Sequence, residues 1–158
     1  MMDLLAGLEG SAMSTWVREA PTVWAFATIL TLHTLGMGVL VGASAVLDLR
    51  LLGVGRTIPL APMRTLFRVM WAGFWLNLVT GVVLFAADAS ARGTQGLFLV
   101  KLLFVAMGVT TMILIKRHVY RAHADPGVVR GTTKGLALLS LLVWVAAITA
   151  GRLLAYVQ

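Results

Sequence analysis

A single histidine, His33, lies in the middle of the first long apolar run, in the stretch TLHTLGMGVL (31–40). Polar residues at membrane depth usually face the interior of a helix bundle, where they find a partner or serve a function. His33 is therefore either a hydrogen-bonding core residue or a metal or haem ligand. Gly36, at i+3, would leave room for the face of a macrocycle, although glycine equally permits close helix packing. No second histidine lies in a predicted span, so a haem here would have one histidine ligand.

Three further polar residues fall at informative depths. At 1.5 Å per residue, Asn77 lies near the centre of the second span, level with His33, and it suits either a cofactor pocket or a hydrogen bond between helices. Lys101 and Arg152 each lie about 10 Å outward of that level. Two cations there match the positions of haem propionates. The alternatives are contact with lipid headgroups, pairing with Asp88, or a basic pocket for a quinone.

The elements that position these residues are membrane helices. Of the 158 residues, 59% are hydrophobic and 12% are charged, whereas soluble domains carry about 25% charged residues. We predict one all-α domain, an integral membrane four-helix bundle with a short interfacial N-terminal helix. The helix that lies in the interface covers 3–18, and the spans are about 21–47, 66–87, 97–117 and 135–157.

The interfacial helix is predicted from one apolar stripe. Leu4, Leu8, Ala12 and Trp16 recur every four residues, which places them on one face of a helix. A frayed tail is the alternative.

Basic residues predict the orientation in a bacterial-type inner membrane. The first and third connections lie on one side of a four-helix protein and carry most of the 13 Lys and Arg residues. By the positive-inside rule these connections face the cytoplasm and both termini face outward. The residues concerned are Arg50, Arg56, Arg64, Arg68, Lys116, Arg117, Arg121, Arg130 and Lys134.

Composition also excludes several classes of site. The chain has no cysteine, which excludes thiolate metal sites, iron–sulfur ligation and covalent c-type haem attachment. The formal charge of +7 is explained by membrane orientation, because no basic stripe with interleaved aromatics favours nucleic acid. At the end of the first span we expect a local ion pair between Asp48 and Arg50.

The stretch LHTLGMGVLVGASAVLDLRLLG resembles the first helix of the HemJ/CopD-like small four-helix membrane proteins, and FLVKLLFVAMGVTTMILIKRH looks like the lysine-bearing third helix of the HemJ type. The resemblance implies haem b binding in support of protoporphyrinogen oxidation, with His33 as the haem ligand and Lys101 as a second functional position. Lys101 is not followed by a histidine at the distance the family has, which weakens the oxidase more than the haem.

The leading hypothesis is a haem b protein of membrane electron transfer that works with a quinone or a redox partner. Its cofactor-binding residues would be His33, Gly36, Asn77, Lys101 and Arg152, with His33 on the metal. The alternatives are a non-enzymatic accessory or scaffold subunit, HemJ-like protoporphyrinogen oxidation, and CopD-like copper handling. The partners expected from the sequence are the lipid bilayer, a quinone or membrane redox partner, and a homo-oligomer or a larger complex, and nucleic acid is not expected.

Overall fold

A computed structural model describes residues 2–19, 24–121, 131–154 and 156, and in these ranges all regular structure is helical. The helices, in chain order, are α1 (Met2–Glu9), α2 (Ala12–Glu19), α3 (Trp24–Leu52), α4 (Leu60–Ala87), α5 (Ala89–Thr94), α6 (Gly96–Arg121) and α7 (Gly131–Leu153). Four of them, α3, α4, α6 and α7, are long and apolar enough to cross a membrane. The predicted fold class, all-α with four spanning helices, is confirmed, as is its multi-pass membrane character.

The long helices extend beyond the predicted spans. α3 continues past residue 47 to Leu52, and α4 begins at Leu60, before the predicted start at 66. Hydropathy marks only the part of a helix that fits hydrocarbon, and backbone hydrogen bonding continues into the polar flank. Pro62 is tolerated because it lies in the first turn of α4, where N–H groups have no partner in the helix. Residues 21–23, 155 and 157 of the predicted spans lie outside the described residues.

A glycine ends α3. Gly53 has φ of +111°, the Gly53 N–H donates to the Arg50 carbonyl (3.2 Å), and the Val54 N–H donates to the Leu49 carbonyl (2.9 Å). This is a Schellman motif, in which glycine takes the left-handed conformation and the last carbonyls of the helix gain donors. The first connection begins there, as the Gly-rich sequence predicts.

The N-terminal segment forms two short helices, not the single helix predicted over 3–18. The break falls at Gly10 and Ser11, because the Ser11 hydroxyl accepts the Ser14 N–H (3.3 Å) and so caps α2. The Ser14 hydroxyl in turn donates to the Leu8 carbonyl of α1 (2.9 Å). Leu8, Ala12 and Trp16 of the predicted stripe are exposed.

The second connection, predicted as a loop over 88–96, contains the short helix α5. Leu5 of α1 lies so close to Gly93 that a Cβ there would be 2.9 Å from the leucine side chain. The Ser90 N–H donates to the Glu9 carboxylate (3.2 Å), and Arg18 contacts the same carboxylate (3.0 Å) and the Ala87 carbonyl (3.3 Å). Most of the third connection, residues 122–130, lies outside the described residues.

Two compact units can be distinguished. The first contains Met1–Leu40 and Trp71–Gly96, and the second contains Val41–Met70 and Leu97–Gln158. Small residues dominate the buried positions of the first unit near α5, where Ala86, Ala87 and Ala89 are buried. Large side chains fill the second unit; its most buried residues include Leu47, Leu51, Phe67, Met70, Met112, Ile115 and Trp144.

Candidate functional site

His33 lies on the part of α3 that belongs to the first unit, and its ring faces α4. Its Nδ1 is 3.0 Å from the Asn77 carbonyl oxygen and 3.1 Å from the Thr80 hydroxyl oxygen. The side chain of His33 is half-buried, and Thr80 is buried. The imidazole of His33, which would be unfavourable in an apolar environment, therefore forms hydrogen bonds with polar atoms of α4.

The partners of Nδ1 determine the tautomer of a neutral ring. A backbone carbonyl can only accept, so Nδ1 must carry the proton that it shares with Asn77. The Thr80 hydroxyl donates its own proton to the Leu76 carbonyl at 2.7 Å, so its oxygen also acts as an acceptor toward Nδ1. In a neutral imidazole the lone pair is then on Nε2, the arrangement found in histidines that bind a metal through Nε2.

Asn77 completes a reciprocal pair. Its side-chain amide donates to the His33 carbonyl oxygen at 2.8 Å, while its own carbonyl accepts from the His33 ring. The sequence placed these two residues at one depth, and the structure brings them into direct contact. Because the amide N–H donates to the backbone of α3, the side chain of Asn77 forms a hydrogen bond between the two helices.

Gly36 lies in a close contact between the two helix backbones. A Cβ at Gly36 would be 2.8 Å from the Asn77 backbone nitrogen and 3.0 Å from the Gly73 carbonyl oxygen. A Cβ at Gly73 would be 2.8 Å from the Gly36 carbonyl oxygen and from the Leu40 nitrogen. The space expected beside Gly36 for a macrocycle is therefore filled by α4, because two glycines let the helices approach until their backbones touch.

A glycine of α4, Gly81, leaves room for the imidazole of His33. A Cβ at Gly81 would lie 3.0 Å from His33 Cε1, the ring carbon between the two nitrogens. Further along α3, nothing lies within 4 Å of a Cβ built on Gly38. The ring is thus packed against α4 on the Nδ1 side by residues small enough to admit it.

Three residues of this site were missed by sequence reasoning: Gly73, Thr80 and Gly81. Together with Asn77 they recur at i, i+4, i+7 and i+8, which is one face of α4. That spacing could have predicted this contact face, since a stripe of small and polar residues on an apolar helix indicates a helix–helix contact in membranes.

Lys101 and Arg152, the predicted propionate partners, lie in the second unit. The Lys101 side chain lies against α7 at Gly151, the residue next to Arg152, with its Nζ 3.9 Å from the position of a Cβ on that glycine. Lys101 is half-buried and Arg152 is exposed. Asp88, their alternative partner, pairs with Arg92 at 2.9 Å. A role for the two cations toward propionates stays a prediction from the sequence.

The predicted ion pair between Asp48 and Arg50 is wrong. Arg50 donates instead to the carbonyls of Ile58 (2.7 Å) and Arg56 (2.9 Å) in the first connection. Asp48 is buried and accepts from the Ser44 hydroxyl at 3.2 Å. The reason is geometric, because residues two apart on a helix point in different directions, whereas residues four apart share a face.

The ligand that this site could offer to a metal or a haem iron is one imidazole, that of His33. In the described ranges no three His, Asp or Glu side chains come together, whereas a haem iron needs only one strong axial ligand from the protein. An Nδ1–H bonded to a backbone carbonyl is the usual outer partner of a ligating histidine. Comparisons with models of protein families, with curated proteins and with solved structures found no significant match to this chain.

Proposed function

We propose that this chain is a haem b-binding integral membrane protein of electron transfer, which exchanges electrons with a quinone or a partner redox protein. The observation that carries the proposal is the hydrogen bond from His33 Nδ1 to the Asn77 carbonyl at 3.0 Å. The location that goes with it is a bacterial-type inner membrane, with both termini on the non-cytoplasmic side, as the basic connections predict.

The residues around His33 would prepare the imidazole for ligation. The carbonyl of Asn77 and the hydroxyl of Thr80 accept the Nδ1 proton, which makes Nε2 more basic and keeps the ring from rotating. Haem, when bound, supplies reversible one-electron chemistry. The contact between Gly36 and Gly73 fixes the distance between the helices and thus between the ring and its acceptors.

The first test is an absorption spectrum of the purified chain with haem. We expect a Soret band that His33→Ala abolishes and that the neighbouring control Thr34→Ala retains, because Thr34 is exposed and bonds only within α3, to Leu30. Gel filtration and circular dichroism show whether His33→Ala is folded. If wild-type protein shows no Soret band after haem supplementation, the proposal fails.

A second variant tests the role of the Nδ1 hydrogen bonds without removing the ligand. Thr80→Val keeps the shape of the side chain but removes one acceptor of the Nδ1 proton. We expect a haem-loaded protein with an altered midpoint potential and iron–histidine stretching frequency, because the His33 imidazole that would hold the iron becomes less basic. Unchanged values of both would contradict ligation by His33.

The second candidate function is a non-enzymatic accessory or scaffold subunit of a larger membrane complex. The reciprocal bonds between His33 and Asn77 favour it, since they suffice to join two helices without any cofactor. A His33→Ala chain that folds, assembles and supports its complex normally would favour this candidate. HemJ-like protoporphyrinogen oxidation and CopD-like copper handling rest on the resemblance of the motifs alone.

A further inference from the structure

We propose that the second unit contains a binding site for a small monovalent cation, Na⁺, at the carboxylate of Asp48. Asp48 is 1% exposed, and its Oδ1 is buried without a hydrogen-bond partner among the residues that the structure describes. Its other oxygen, Oδ2, accepts from the Ser44 hydroxyl, and the Ser140 hydroxyl also lies close to the carboxylate. A buried carboxylate needs either a cation or a full set of donors, because an uncompensated charge in an apolar interior is very costly.

Two serine hydroxyls extend the cluster of oxygen atoms. Ser44 lies one turn before Asp48 on α3, and its hydroxyl oxygen is 3.4 Å from that of Ser140 on α7. Both serines are buried, at 1% and 0% exposure. The cluster therefore combines one carboxylate and two hydroxyls, all of which are oxygen ligands suited to a hard cation.

The spacing of these oxygens also suits ligands of one shared cation. The distances of 3.2 Å (Ser44 to Asp48) and 3.4 Å (Ser44 to Ser140) are long for O–H···O bonds, whose usual length is about 2.7–2.8 Å. Oxygens that bind one ion at about 2.4 Å in octahedral geometry lie about 3.4 Å apart. Ca²⁺ and Na⁺ have nearly the same radius, and K⁺ would need wider spacing.

Charge selects Na⁺ over Ca²⁺. One carboxylate neutralises one positive charge, whereas a divalent ion would leave a net charge in the apolar interior. The basic residue closest in sequence, Arg50, donates instead to carbonyls of the first connection.

The position of Asp48 on its helix also favours a cation. Asp48 lies one turn before Leu52, the last residue of α3, where the helix dipole presents its negative end. An anion alone is disfavoured there, and a cation is favoured. The same position is about 6 Å from the end of the helix, which shortens the path of an ion from water.

A proton on Asp48 leaves the site less well satisfied. A proton on Oδ2 would still leave Oδ1 without a donor among the described residues. The inference rests on the second unit alone and is independent of haem at His33.

The test is thermal unfolding of the 158-residue chain in detergent at pH 8, with NaCl replacing choline chloride at constant ionic strength. We expect Tm to rise by about 3–8 °C and to saturate, as for a ligand that binds only the folded state. KCl should give a much smaller rise. A Tm that responds equally to all three salts, or to none, overturns the proposal.

Variants identify the site. Asp48→Asn should abolish the Na⁺ response. Ser44→Ala and Ser140→Ala should each raise the Na⁺ concentration for half of the effect by about tenfold, and they decide the matter if Asp48→Asn does not fold. Thr110→Ala is the control, since this exposed hydroxyl of the same unit bonds within α6 to Ala106. An unchanged Na⁺ response in the Asp48 variant or in both serine variants refutes the site.

Discussion

The two units solve the same problem, a polar side chain inside an apolar helix, in opposite ways. In the first unit the ring of His33 and the amide of Asn77 bond reciprocally to each other's helix, with Thr80 as a further acceptor. In the second unit Ser44 and Ser140 leave one oxygen of Asp48 without a partner in the described chain. A satisfied polar network stabilises a helix contact, whereas a half-satisfied one is costly.

The comparison distinguishes two kinds of candidate site. In the first, the chain orients a side chain whose ligating atom is determined by hydrogen bonds on its other side. In the second, the chain presents oxygens that need an external charge. A polar residue in a membrane helix therefore indicates a ligand most strongly when its own chain does not satisfy it.

The largest effect is expected where the helices of the first unit touch. Gly36→Ala would place a Cβ 2.8 Å from the Asn77 backbone nitrogen, and backbone cannot move aside as a side chain can. We expect the free energy of unfolding to fall by about 3 kcal/mol and the contact between His33 and Asn77 to be lost. Chemical unfolding in detergent measures this change in the free energy of unfolding.

Gly38→Ala is the matched control, because nothing lies within 4 Å of a Cβ there. It should be neutral or stabilising by up to about 1 kcal/mol, owing to the higher helix propensity of alanine. Equal stabilities for the two variants would show that the close contact does not hold the first unit together.

The second prediction concerns the unsatisfied carboxylate. In choline chloride, without Na⁺, Asp48→Leu should raise the free energy of unfolding by about 1–3 kcal/mol, because it removes a buried group that lacks a partner. Chemical unfolding again provides the measurement. A large loss of stability would show instead that Asp48 is satisfied as it stands, and the contrast between the units would disappear.

The third prediction is that the same kind of substitution lowers the stability of the first unit, at Asn77, where the polar side chain is satisfied. Asn77→Leu removes the donor to the His33 carbonyl. It should lower the free energy of unfolding by about 0.6 kcal/mol, the average for hydrogen bonds between membrane helices, and at most by about 1.7 kcal/mol. Thr31→Val is the control, because Thr31 is exposed and bonds within α3. If both variants unfold alike, the reciprocal pair contributes nothing.

Much of the fold could be predicted because apolar length alone identifies a membrane helix. The depth of His33 and Asn77 followed from counting residues along two helices. The hydrogen bond between the His33 ring and the Asn77 carbonyl could not be predicted in the same way. It depends on how each helix is rotated about its own axis, which counting residues does not give. The missing signal was the spacing of Gly73, Thr80 and Gly81 on α4.

Errors arose where tertiary contacts decide local structure. The apolar stripe of 3–18 continues through Gly10, so its periodicity conceals the cap at Ser11 that divides the segment. α5 is only six residues long, too short to be stable alone. It is supported by the contacts that its residues Ser90 and Gly93 make with α1. Sequence patterns do not contain such contacts.

The smallest predicted effect extends the comparison to a second polar network of the first unit, at its surface. Hydrogen bonds from the Ser90 hydroxyl and N–H, helped by Arg18, lower the pKa of Glu9 below its ordinary value of 4.5. A lowered carboxyl pKa stabilises the docked state above pH 4.5, and this contribution is lost as pH falls through the lower pKa. We therefore expect α1 and α2 to loosen from α5 only in acid.

A spin label detects this loosening, since the chain has no cysteine and Met13→Cys gives one label on an exposed position of α2. Label mobility should rise below pH 4.5 in this protein. With Glu9→Gln added, it should be higher already at pH 7 and respond less to acid, while Glu19→Gln, at the exposed end of α2, should leave the profile unchanged. If the acid transition persists with Glu9→Gln, other groups hold α1 and α2 against α5. The polar network at Glu9 would then have no measurable part in holding the first unit together.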